Sequence, residues 1–258
     1  MDGNHMHELG RGRQAVVMED GSMAWKVFLS AVDPKLIAQE GANTQAAWDT
    51  GFPAPRVLAV EHDRLGLQKI SGPTMEKQLL SPHGLHHWGF VLGQLQARMH
   101  SISGAQLPPQ RDILCEGIRK APDLDGGVRQ KLLERVLAQP PEATMCHGDY
   151  HPGNILLAPS GPVVIDWINA TSGWAAADAA RTVLLLQAAV HGDYGRPHWM
   201  RAIIGYLHWR YRRGYGSLRP WSEEAVRYWL PIVAAFRLNE GIPEEERYLR
   251  RWLDSQVL

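Results

Sequence analysis

A chain of 258 residues, 45% hydrophobic and 21% charged, has the composition of a folded globular protein and excludes a charge-dominated disordered segment. Its 27 Lys and Arg balance 27 Asp and Glu, so no global positive field draws it to nucleic acid or an anionic membrane, and neither partner is expected. Two cysteines, Cys115 and Cys146, are too few for a disulfide framework. Residues 1–10 lack a signal-peptide apolar stretch, and no apolar run reaches the roughly 20 residues of a membrane helix, so a cytoplasmic protein is expected.

The first third reads as strands and one helix. Short apolar runs at Ala15–Met18, Ala24–Leu29, Arg56–Glu61 and Leu65–Ile70 are separated by turn signals such as Asp20-Gly21, which predicts a small antiparallel sheet. Asp33-Pro34 is a helix start and Gly51 its stop. Leu36, Ile37, Glu40, Ala47 and Trp48 share the inward face of that helix at helical spacing, so Glu40 requires a buried partner. After Ile70-Ser71-Gly72-Pro73 helices dominate: 84–102, 126–137, 175–189, 198–213 and 222–238. One hairpin, Asn154–Leu157 with Pro162–Asp166, interrupts them.

The hairpin's two ends carry the strongest signal. His147-Gly148-Asp149-Tyr150-His151-Pro152-Gly153-Asn154 is followed by Val163-Val164-Ile165-Asp166. Phosphoryl transfer needs a carboxylate to orient the attacking hydroxyl and hard oxygen ligands to hold Mg²⁺ against nucleotide phosphates. Asp149, Asn154 and Asp166 supply these groups in the order and spacing of the kinase template.

These segments resemble the catalytic loop and metal-binding segment of the aminoglycoside phosphotransferase family, which includes choline and homoserine kinases and is distantly related to protein kinases. The resemblance implies an α+β, two-lobed protein kinase-like fold. A small N-terminal antiparallel sheet lobe with one helix (1–70) would be followed by a hinge at about 68–73 and a larger, mainly helical C-terminal lobe (74–258). It makes Asp149 the catalytic base, Asn154 and Asp166 the Mg²⁺ ligands, and Asp178, within Gly173–Arg181, a structural acid under the catalytic loop. Leu9-Gly10-Arg11-Gly12-Arg13-Gln14-Ala15-Val16 is similar to a phosphate-covering turn, with Gly10 and Gly12 allowing close backbone approach. The family places a phosphate-contacting lysine at Lys26, with Glu40 as its ion-pair partner. Main-chain atoms around Gln68, Lys69 and Ile70 are expected to contact the purine of ATP or GTP.

Asn169 and Trp174 depart from the family pattern, which often has an acidic residue and Gly-Asp there. Trp174 and Glu240 are candidate acceptor-site residues, while packing offers the alternative role for Trp174. His147 is expected to hold the loop. His83, His86, His87 and His100 do not read as a zinc site, and His83, His86 and His87 read as solvated or capping side chains. Trp199, Trp209, Trp221, Trp229 and Trp252 read as helix-packing core, and Glu244–Glu246 as a solvated helix start after Pro243. The expected function is Mg²⁺-dependent transfer of a γ-phosphate to a small-molecule hydroxyl, on an antibiotic or else on a metabolite such as choline, homoserine or a sugar, with no obligate protein partner. A silent nucleotide-binding module would lack the base or a metal ligand, and none is lacking.

Overall fold

The computed structural model describes residues 7–12, 15–29, 32–81 and 83–255. The chain divides into two compact units: Met1–Lys77 with Pro152–Ala170, and Gln78–His151 with Thr171–Leu258.

The first unit is built on a five-stranded antiparallel sheet of β1 (His7–Arg11), β2 (Ala15–Asp20), β3 (Met23–Phe28), β4 (Val57–Val60) and β5 (Arg64–Gln68), ordered β1-β2-β3-β5-β4. All the strands expected from alternating apolar runs are present; β1, polar and exposed, carries no such pattern. β3 is the central strand, with Lys26 opposite Val17 on one side and Leu65 on the other.

Helix α1 (Pro34–Asp49) starts where Asp33 accepts a hydrogen bond from the Lys35 N–H (2.9 Å) and ends before Gly51, whose φ of 77° suits glycine. Its buried stripe includes Ile37, Glu40, Thr44 and Ala47. Leu36 and Trp48 were expected inside, yet they are 52% and 38% exposed. Each is one residue, about 100° around the helix, from a stripe position.

The predicted hairpin pairs Ile155–Ala158 with Gly161–Val164 and belongs to this unit. The Leu157 N–H donates to Pro73 O (2.9 Å) and the Val164 N–H to Pro53 O (2.8 Å). At Gly72 (φ 151°) a Cβ would lie 2.1 Å from Leu157 O, so only glycine fits.

The division between units falls within a short helix, α2 (Met75–Leu79). The second unit contains α3 (Gly84–Met99), α4 (Gln110–Lys120), α5 (Gly126–Ala138), α6 (Ala175–His191), α7 (Met200–Gly216), α8 (Glu223–Leu238) and α9 (Pro243–Asp254), with a two-stranded pairing of Thr144–Cys146 and Thr171–Gly173. The expected helices are found within a few residues. Helix α4 went unpredicted because Gly117 interrupts its short apolar pattern, and that glycine is required: a Cβ would lie 2.3 Å from the Phe236 ring. Helix α6 is buried on nearly every face and forms the centre of this unit. Among the described residues no helix is long and apolar enough to cross a membrane.

Helices α3 and α7 approach backbone to backbone. A Cβ on Gly93 would sit 2.0 Å from Tyr211 O, whereas one on Gly205 of α7 would meet nothing within 4 Å. Gly93→Ala is therefore expected to cost about 3 kcal/mol in urea denaturation, whereas Gly205→Ala should add about 0.5–1 kcal/mol through helix propensity.

Candidate active site

In the first unit, β3 and α1 converge on a charged group. Lys26 Nζ lies 2.6 Å from Glu40 Oε1 and 3.0 Å from Asp166 Oδ1. Glu40 is 1% exposed, and its Oε2 has no hydrogen-bond partner. Burial works against the Lys26 charge, but the carboxylates of Asp166 and Glu40 outweigh it and hold the ammonium above the ordinary lysine range. The partner that the buried position of Glu40 demanded is thus Lys26.

Asp166 has a left-handed backbone (φ 68°), which Asp tolerates better than most residues. The chain after it is pinned. Asn43 Nδ2 donates to Trp167 O (3.0 Å), Trp167 Nε1 donates to Val164 O (3.0 Å), and the Trp167 ring meets Phe52 edge-on at 5.7 Å. Asn154 closes a 3₁₀ turn (Pro152–Asn154), and its carbonyl accepts the Ile165 N–H (2.9 Å), which places it across the hairpin from the residue before Asp166. An amide oxygen and a carboxylate at one end of a hairpin are hard donors that suit Mg²⁺, an ion that takes one or two protein oxygens and keeps phosphate and water as its other ligands.

The nucleotide-facing expectations are placed less completely. The Gly12 N–H bonds Ala15 O (2.9 Å), and a Cβ at Gly10 would meet nothing within 4 Å, while Arg13 and Gln14 of the same turn lie outside the described residues. In the hinge segment the Gln68 N–H donates to Arg56 O and the Lys69 N–H to Ser22 O, so two of the N–H groups expected at the purine are spent on the sheet. Lys69 Nζ pairs with Glu19, and Ile70 is half-buried.

The second unit holds Asp149 in a loop fixed at the preceding residue, Gly148. The Gly148 N–H donates to Asp178 Oδ1 (2.7 Å), and Arg181 Nε donates to Gly148 O. Asp178 Oδ2 also accepts from Gln96 Nε2 (2.8 Å) and meets His100 Nε2 (3.0 Å). Burial would raise the Asp178 pKa, but His100, the Gly148 N–H and Gln96 lower it to about 2. His147 is buried and its Nδ1 accepts the Asp149 N–H (3.2 Å). The Asp149 carboxylate lies 3.7 Å from His151 Nε2, 3.7 Å from Arg181 Nη2 and 3.9 Å from Arg237 Nη1. Burial opposes its charge, but His151, Arg181 and Arg237 overcome burial and hold it well below the usual aspartate range.

Several expectations change. Trp174 is buried in the packing role, its ring tilted by 34° against Trp229 (centroids 4.6 Å apart) and its Nε1 donating to Pro140 O (2.7 Å). Glu240 binds Arg181 and Arg237. Trp199 and Trp209, expected in the core, are 59% and 47% exposed. Pro243 begins α9 as expected, but Glu245 is buried, because Arg237 and Tyr194 reach it from neighbouring segments. His100, the C-cap residue of α3, is a buried partner of Asp178, and among the described residues no cluster of three or more His, Cys, Asp or Glu could hold a metal. Cys115 and Cys146 are buried free thiols, and burial pushes the Cys146 pKa up. Sequence reasoning missed Asn43, Gln96, Arg237 and the role of Arg181. The i, i+4 spacing of Gln96 and His100 was a visible signal, but it names no partner.

The buried pair yields a pH signature. Lys26→Met leaves the Glu40 carboxylate buried without its cation, which should cost about 3 kcal/mol at pH 7.5 in urea melts. Desolvation then sets the Glu40 pKa above its unfolded value, so the penalty applies once Glu40 ionises and should shrink as pH falls toward 5.

The sequence model described as "Phosphotransferase enzyme family" (APH) matches residues 13–221. No curated protein matches by sequence. Solved structures share the fold at low identity. Amicoumacin kinase hAmiN, in complex with AMP-PNP, Ca²⁺ and Ami, superposes with a TM-score of 0.67 at 13% identity over 96% of this chain and 86% of its own. A choline/ethanolamine kinase family protein from Mesorhizobium loti gives 0.63 at 15% identity over 98% and 86%. Aminoglycoside-3'-phosphotransferase of type VIII gives 0.60 at 20% identity over 89% and 91%. With its antiparallel sheet, its helical second unit and a family match over more than half its length, the chain belongs to the phosphotransferase enzyme family.

Proposed function

We propose that this protein is a small-molecule kinase that moves the γ-phosphate of ATP or GTP to a hydroxyl of an antibiotic, aminoglycoside-type or other, and so confers resistance. The observation that carries the reading is the ion-pair chain Glu40–Lys26–Asp166, buried at Glu40 and open at Asp166. It holds an ammonium beside a hard carboxylate ligand, as phosphate binding requires. Lys26 binds the α and β phosphates, Gly10 and Gly12 lie over them, and the backbone of Gln68–Ile70 meets the purine. Asn154 and Asp166 hold Mg²⁺, which when bound neutralises charge on the phosphates.

Asp149 orients the acceptor hydroxyl. Its depressed pKa keeps it ionised throughout the neutral range, so it is a weak base that accepts the proton late, which suits the loose transition state of phosphoryl transfer. His147 and Asp178 hold its loop. The fold shared with amicoumacin kinase and an aminoglycoside phosphotransferase supports an antibiotic acceptor, and the likeness to a choline/ethanolamine kinase family protein keeps a metabolic acceptor as the second reading.

Purified protein with Mg²⁺-ATP or Mg²⁺-GTP should phosphorylate a member of a panel of aminoglycosides, macrolides, peptides, nucleosides, choline and homoserine, with kcat reduced about 10²–10⁴-fold in Asp149→Ala. Nucleotide binding without transfer to any of them would point instead to a silent binding module. Drug protection in cells that survives Asp149→Ala would remove phosphorylation as the resistance mechanism.

A further inference from the structure

Two arginines of the second unit present the same nitrogen atoms to two carboxylates. Arg181 Nη2 is 2.5 Å from Glu240 Oε1 and 3.7 Å from Asp149 Oδ1. Arg237 Nη1 binds Glu240 Oε2 and is 3.9 Å from the same Asp149 oxygen. Both guanidiniums are also anchored elsewhere, Arg181 through Nε alone, since its buried Nη1 has no hydrogen-bond partner. Arg181 Nε is on Gly148 O, with the group over the Phe236 ring, and Arg237 Nε and Nη2 grip Glu245 at 2.6 and 2.8 Å. Glu245 is fixed in turn by the Tyr194 hydroxyl (2.6 Å).

We propose that Glu240 is a positioning residue for phosphotransfer: it draws Arg181 Nη2 and Arg237 Nη1 onto its own oxygens, so that both cations stand beside Asp149 without hydrogen-bonding its Oδ1. The inference rests on Asp149 being the residue that orients the acceptor hydroxyl. Coulomb attraction falls slowly with distance, whereas a hydrogen bond is lost beyond about 3.5 Å. Cations held at ion-pair range therefore stabilise the carboxylate while not competing with the acceptor for the same oxygen. The groups around Asp149 fit this balance: His151 on its own loop, Arg181 on α6, Arg237 on α8, Glu240 just after α8 and Glu245 on α9. Glu240 is also partly exposed, unlike Glu245, so solvent limits what its ion pairs add to stability.

Glu240→Gln keeps the shape and removes the charge; Glu240→Asp keeps the charge and shortens the reach. In Glu240→Gln the two nitrogens are expected to move to about 3 Å from Asp149 Oδ1 in a crystal structure. The kcat should fall about tenfold or more, with KM for nucleotide unchanged. Glu240→Asp should retain kcat within about threefold, since a charged hydrogen-bond acceptor still competes for the arginines. A purely structural role predicts the reverse order, because glutamine is the closer isostere. Unmoved guanidiniums in Glu240→Gln, or greater damage from Glu240→Asp, would overturn the proposal. A wild-type protein that phosphorylates no acceptor would instead overturn the proposed function and with it the catalytic consequence, while the guanidinium positions in Glu240→Gln would still decide whether Glu240 holds them off Asp149.

Discussion

The first unit depends on one costly arrangement, a lysine between two carboxylates of which one, Glu40, has almost no water to share its charge. Taking an ion out of water costs several kcal/mol, which is recovered only when the partner sits at hydrogen-bonding distance. Glu40 is nearly inaccessible, so its ionised form is tolerable only with Lys26 at 2.6 Å. That requirement sets the face α1 turns to the sheet and the strand position of Lys26. The second bond, to Asp166, brings in the end of the hairpin. Asn43, one helical turn from Glu40, and Trp167 fix the same stretch by uncharged contacts. Asp166 thus keeps an unfavourable backbone conformation because neighbours on both sides determine it.

The second unit solves a different problem, how to hold a short polar loop still. It does so at one residue, Gly148, whose N–H is taken by Asp178 and whose C=O is taken by Arg181, two residues less than one turn apart on α6. A helix buried on nearly every face makes a rigid base for both. Asp178 is in turn saturated by Gln96 of α3 and by His100 at its C-cap, so the acid that grips the loop has its own orientation fixed. Arg181 extends the same order outward to Glu240, so loop support and the electrostatic surroundings of Asp149 share one side chain.

Much of this was legible in the residues. The catalytic-loop and hairpin motifs, the Asp33-Pro34 helix start, the turn at Gly21 and the inward carboxylate at Glu40 all rest on local chemistry: capping, backbone conformation and helical period act within a few residues. Leu36 and Trp48 mark the limit of that reasoning. Apolar residues beside a buried stripe look the same in sequence as residues within it, and only the width of the contact separates them. Glu245 shows the converse: an acidic run at a helix start reads as solvated until Arg237 and Tyr194 are seen to bury its middle member.

By itself, the sequence determined the order of chemically matched groups from Lys26 to Asp166 and the elements that carry them, because motif spacing and helix caps are properties of the local chain. Beyond the Lys26–Glu40 pair, only the tertiary structure decided which charges meet. Lys26 and Asp166 are 140 positions apart and Arg181 and Glu240 are 59 apart. An ion pair leaves no periodic trace at such separations, and its partner is chosen by packing, where desolvation penalises every charge that finds none.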